Sequence, residues 1–156
     1  MLIYDRGVAL IRRMTDQGPE WLLRWNPTRE CSELIEADRL SGETYREALY
    51  REIDWQLGLD RKKDYLMSSV PRLHFELTPC GRVHPAKTFE PETANYGRLE
   101  LYAVEVYRAP TLERLAADEK NCWTRPIELL EGVDGQGRAL REDQFRWLER
   151  TEAIGR

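Results

Sequence analysis

Apolar positions set the first elements of this chain. Val8 to Met14 is apolar and β-branched enough for a strand, and Trp21 to Trp25 can pair with it across the turn signal Asp16-Gln17-Gly18-Pro19, which predicts an opening hairpin. Glu33 to Leu40 reads as a further short extended segment centred on Leu34 and Ile35, ended by Ser41-Gly42. Thr44 followed three residues later by Glu47 is a capping box, in which each side chain satisfies a free backbone donor of the other's segment. A helix is therefore expected over about 45 to 57. Its residues Tyr45, Leu49, Ile53 and Leu57 form one apolar stripe, and Gly58 follows where a left-handed C-terminal residue is wanted. Leu66 to Leu77 reads as extended, and the strongest strand, Leu99 to Tyr107, lies within Arg98 to Arg108. Between them, roughly 78 to 96, runs a long polar loop with Pro79, Gly81, Pro85 and Pro91, of a length more often functional than idle. Ile127 to Leu130 after Pro126 predicts a helical turn, and Arg141 to Arg150 an amphipathic terminal helix with Phe145, Trp147 and Leu148.

Composition narrows the picture. At 156 residues, 41% hydrophobic and 33% charged, the chain is expected to fold as a single domain over 1–156 with a core that needs no disulfide or structural metal. A formal charge of -4 gives no general attraction to nucleic acid, and the short run Arg61, Lys62, Lys63 reads as a solvated face. No apolar run approaches the ~20 residues of a membrane span, and charges at Asp5, Arg6, Arg12 and Arg13 fit neither a signal peptide nor a membrane helix. Cys31, Cys80 and Cys122 are an odd number without paired spacing, so a disulfide framework is not expected and a reducing cytoplasm is the default. His74, Cys80 and His84 lack a fourth ligand and match no standard zinc spacing.

The chemistry concentrates on the central helix. Glu52 shares a helix face with the positions three and four later, Trp55 and Gln56. Three carboxylates there would cradle a hard divalent cation such as Mg²⁺, whose work beside phosphates is to offset charge and orient water. Ala37, Glu43, Arg51, Glu52, Ile53, Trp55, Gln56, Gly58 and Leu59 occupy the positions of the Nudix box, G-x5-E-x7-R-E-U-x-E-E-x-G-U with U aliphatic, and six of these nine agree. Gly42-Glu43-Thr44, Glu47-Ala48-Leu49 and Trp123-Thr124-Arg125-Pro126-Ile127-Glu128-Leu129 also resemble segments common in that family. The sequence thus resembles a Nudix domain over about 5 to 150, with a degenerate box. The resemblance implies an α+β fold, a Nudix-like α/β/α sandwich with a mixed central sheet.

It further implies that Glu43 and Arg51 form the ion pair that supports the loop ahead of the helix, that Glu52 is the surviving metal ligand, and that Arg51, Glu43 and Trp55 border the ligand. Gln56 keeps an oxygen for a cation but not its charge, and Trp55 has no oxygen at all. Trp55 lies off the apolar stripe, which leaves two readings: it packs into the space of an absent metal, or it stacks on a ligand. Glu90, Glu92, Glu100 and Glu105 are available to restore a metal site, with Glu92 in the long loop as the additional ligand expected. Trp21, Trp25, Tyr96, Tyr102 and Trp123 could stack on a base but read more simply as packing.

Two functions follow. One is a Nudix-fold domain with impaired or lost metal-dependent pyrophosphohydrolase activity that binds a nucleotide, another phosphate-containing ligand or a protein partner. The other is an active hydrolase of a nucleoside diphosphate linked to another moiety, using Glu52, Gln56 and a loop glutamate around Mg²⁺ or Mn²⁺. Nucleic acid polymers and membranes are not expected partners.

Overall fold

The structure, a computed structural model, describes residues 4–77 and 97–150. β1 (Tyr4–Thr15) turns at Asp16-Gln17 into β2 (Gly18–Asn26). The two pair antiparallel only at their turn end, from Thr15 opposite Gly18 to Arg12 opposite Trp21. Beyond that point they separate, and the chain from 31 to 38 fills the wedge. Its first part, β3 (Cys31–Glu33), pairs with β2, and its second, β4 (Ile35–Asp38), pairs with β1. The segment expected to be extended over Glu33 to Leu40 is therefore two short strands serving two different neighbours.

α1 (Tyr45–Leu57) forms as its punctuation predicts. The Thr44 hydroxyl accepts from the Glu47 backbone N–H, the Glu47 carboxylate accepts from the Thr44 N–H, and Gly58 closes the helix at φ 66°. Tyr45, Ala48, Leu49 and Ile53 are buried, and burying an aliphatic side chain of this size stabilises by roughly 1.5–3 kcal/mol. The approach to β1 is close: a Cβ on Gly7 would lie 3.0 Å from Leu49 Cγ and 3.3 Å from the Tyr45 carbonyl oxygen.

The region expected to be extended over Leu66 to Leu77 is broken into β5 (Leu66–Met67) and β6 (Leu73–Leu77), which pair with opposite ends of β7 (Gly97–Glu105). β7 runs parallel to β1 at the centre of the described sheet, which is mixed and eight-stranded. α2 (Ala109–Ala116) was not anticipated; it starts with Pro110 in its first turn and buries Thr111 and Leu115. β8 (Asn121–Thr124) pairs with β2 on the edge away from β1, α3 (Pro126–Leu130) follows, and α4 (Glu142–Arg150) ends the described chain.

Strand alternation sends two apolar sets to two faces. Ala9, Ile11, Tyr102 and Val104 meet Leu49 and Ile53 of α1 and Leu115 of α2. Val8, Leu10, Leu99 and Leu101 meet Leu129 of α3 and Trp147 and Leu148 of α4. The result is the expected sandwich of helices on both faces of a mixed sheet. Cys31 and Cys122 are buried free thiols, and among the described residues no helix is long and apolar enough to cross a membrane.

Candidate functional site

The support ahead of α1 is intact. The Glu43 carboxylate receives Arg51 Nη2 at 3.0 Å and Nε at 3.1 Å on its two oxygens, and it also accepts from the Leu40 backbone N–H at 2.9 Å. The Arg51 hydrogen bond, followed by that from Leu40, holds the Glu43 carboxyl below its ordinary pKa. Arg51 Nη2 continues to the Asp38 carbonyl oxygen at 2.8 Å, so one guanidinium ties the helix to the end of β4. Ala37, at the position of the box's first glycine, is buried opposite Gly7.

One residue further along, the arrangement changes. Glu52 Oε1 accepts from Gln56 Nε2 at 2.8 Å, and Oε2 lies 3.6 Å from Arg51 Nη1. The Gln56 amide thus presents its nitrogen, not its oxygen, to the one carboxylate of the triad. The reverse orientation would set two acceptors against each other while Glu52 is ionised. Trp55 is 84% exposed and packs into nothing, which removes the reading of it as filler for a vacated metal site.

Among the described residues no other carboxylates gather with Glu52 into a metal-holding group. Glu105 is paired with Arg12 at 2.6 Å, and Glu100 is buried, accepting from the Tyr102 hydroxyl at 2.7 Å and pairing with Arg98 at 3.2 Å. Glu90 and Glu92 lie outside the described residues, as do Tyr96, Cys80 and His84. Among the described residues no group of three or more His, Cys, Asp or Glu side chains could hold a metal ion. The described donor set, one carboxylate bonded to an amide N–H beside an indole, does not fit Mg²⁺ or Mn²⁺.

What the wedge does build is a cleft of about 610 Å³ that runs from α1 to the edge of β2 and the start of α4. Six cations line it, Arg6, Arg24, Arg29, Arg51, Lys120 and Arg141, against four carboxylates, Glu33, Glu36, Asp38 and Glu52, a formal excess of two positive charges in the lining itself, while Glu43, Asp118 and Asp143 outside the lining pair with Arg51, Arg24 and Arg141. Glu36 sits at its floor between Arg6 at 3.0 Å and Arg141, with Gln144 Nε2 donating to it at 2.9 Å. Arg141 also reaches Glu33 at 3.0 Å and Asp143 at 2.6 Å. Burial works against the Arg141 charge, but Glu36 and Asp143 outweigh it and raise the guanidinium's pKa. Arg24 pairs with Asp118 at 2.7 Å, while Arg29 and Lys120 stand exposed at the rim. Trp25 lines the same cleft half-buried, with the Arg138 guanidinium 4.7 Å from its ring centre.

These two arrangements have a known frame. A mutT/Nudix family protein from Listeria innocua superposes with a TM-score of 0.61 at 16% identity, covering 96% of this chain and 91% of that one. The fold is the Nudix fold. An Ap4A hydrolase from C. elegans shares this Nudix fold with a TM-score of 0.57 at 12% identity over 84% of this chain and 86% of its own. NrtR from Shewanella oneidensis, solved with a 27mer DNA, does so with a TM-score of 0.55 at 13% identity over 92% of this chain but 58% of its own. No family model and no curated protein matches the sequence. Within the Nudix fold, Glu43, Arg51 and Glu52 fall together as the sequence reading placed them, and Gln56 joins Glu52. Trp55 stands apart in solvent, and Tyr102 and Trp21 are core residues.

Sequence reasoning missed the cations of the cleft. A signal was present: Arg6 shares the inward parity of Val8 and Leu10, and Glu36 that of Leu34, so each puts a charge where alternation calls for an apolar residue.

Proposed function

We propose that this Nudix-fold domain binds a phosphate-containing ligand, a nucleotide being the form that fits Trp25 and the arginines together, and that its metal-dependent hydrolysis is impaired or lost. The observation that carries this reading is the bond from Gln56 Nε2 to Glu52 in a cleft whose lining is net positive. Where a divalent ion would need several carboxylates, fixed guanidinium groups can meet phosphate oxygens directly. In this reading Trp55, exposed beside Glu52, covers a ligand's ring in the way exposed aromatics stack on bases. The net charge of -4 disfavours a nucleic acid polymer, and the free thiols agree with a reducing cytoplasm. A second reading, an active hydrolase completed by Glu92, draws support from the intact Glu43–Arg51 fork that would orient such a site.

The test compares binding and turnover on a panel of nucleoside diphosphate compounds. Calorimetry should show binding that persists in EDTA and falls about tenfold in Arg24→Ala. Turnover with Mg²⁺ or Mn²⁺ should be absent in the natural chain and appear only in the Trp55→Glu, Gln56→Glu double variant. Robust turnover by the natural chain, abolished by Glu52→Gln, would overturn the proposal in favour of the hydrolase.

A further inference from the structure

A second cavity lies at the other end of β1, on the sheet face that α3 and α4 cover. It has a volume of about 260 Å³, room for roughly a dozen non-hydrogen atoms at interior packing density. Leu10 and Ala103 make its apolar wall, and Leu66, 63% exposed, belongs to the same lining. Trp21 forms another wall. Its side chain is 4% exposed, yet its indole Nε1 is buried with no hydrogen-bond partner. An unmet buried donor of this kind is costly, and native structures leave few of them.

The charges around the cavity are unequal. Arg12, whose guanidinium lies 5.8 Å from the Trp21 ring centre, is neutralised by Glu105, which receives its Nη2 at 2.6 Å and its Nε at 3.0 Å. Arg72, exposed on the same lining, has no ion-pair partner among the described residues. The lining therefore carries one surplus positive charge, one unmet donor and an apolar wall.

We propose that this cavity is a binding site, separate from the cleft beside α1, for a small monoanion with an apolar body, such as a carboxylate on an aromatic or branched chain. The acid group meets Arg72 beside the Trp21 indole, while the body covers Leu10, Ala103 and Leu66. A phosphate-rich ligand does not suit it, because Glu105 opposes a second negative charge. A long fatty acid exceeds its volume.

The test follows the five indole N–H resonances of the ¹⁵N-labelled protein, with Trp21 assigned by Trp21→Phe. Titrated 4-phenylbutyrate should move the Trp21 resonance saturably, and its neutral amide should bind about tenfold more weakly. Arg72→Gln, an exposed change that leaves the melting temperature alone, should reduce the carboxylate's affinity to that of the amide. Equal binding of acid and amide, saturation that leaves Trp21 unmoved, or no binding by ~10 mM would each overturn the proposal. ATP in EDTA addresses the other cleft: it should disturb Trp25 and not Trp21, so the two sites succeed or fail separately.

Discussion

Along α1, two consecutive residues show opposite fates. Around Arg51, the guanidinium, the Glu43 carboxylate and the Asp38 carbonyl are bound to one another with every contact made inside the chain. Around Glu52, one carboxylate is bonded to an amide N–H and an indole stands in solvent. The difference separates two kinds of requirement. Groups that hold α1 against β4 are needed for the fold whatever the site does. Groups that face a ligand answer only to that ligand, so they can change without disturbing the helix. The far end of α1 belongs with the first kind: Arg114 Nη2 pairs with Asp64 at 2.6 Å, the Thr111 hydroxyl donates to Asp64 at 2.8 Å, and the Asp60 N–H does so at 2.7 Å.

Stability should therefore fall steeply for the supports and hardly at all for the groups around Glu52. Leu49→Ala, in the seam against Gly7 and β1, should cost about 3 kcal/mol by chemical denaturation, and a loss under about 1 kcal/mol would show that the seam does not hold the helix. Asp64 comes next. Burial alone would raise its pKa, but the bonds from Asp60, Thr111 and Arg114 bring it down to about 2. A depressed carboxyl stabilises above its unfolded value of about 3.9 and loses that contribution as pH falls through its folded value. The natural protein should therefore lose about 2 kcal/mol between roughly pH 4 and pH 2, and Asp64→Asn should flatten that part of the stability profile. An unchanged slope in the variant would remove Asp64 from the supports. Trp55→Ala should be the mildest, within about 0.5 kcal/mol in thermal melting, and a clear destabilisation would return Trp55 to a packing role.

Residues whose partners are near in sequence were readable in advance. Thr44 with Glu47 and Gly58 mark the ends of α1 by local hydrogen bonding alone, and the Glu43–Arg51 fork spans two helical turns. α2 was missed because Thr111, one of its buried residues, is polar and turns inward only to reach Asp64. The split between β5 and β6 was missed because both halves read as extended, and only pairing with different ends of β7 separates them. The cleft was the least readable part. Arg6, Glu36 and Arg141 are far apart in the chain, and each alone looks like a surface charge. Sequence spacing fixed which helix could carry a metal, whereas the net charge of the cleft depends on how β1 and β2 diverge.

The tie between Gln144 and Leu34 bears on how the molecule is made. Gln144 both donates to the Leu34 carbonyl and accepts from its N–H, across 110 positions of chain. Arg141 anchors Glu33 and Glu36 over a similar distance. During synthesis on the ribosome, the wedge strands emerge early but lack these partners until the last helix has cleared the exit tunnel. Closure of so long a loop is a slow step, so the nascent domain carries an unfinished cleft until its final described helix is free to dock.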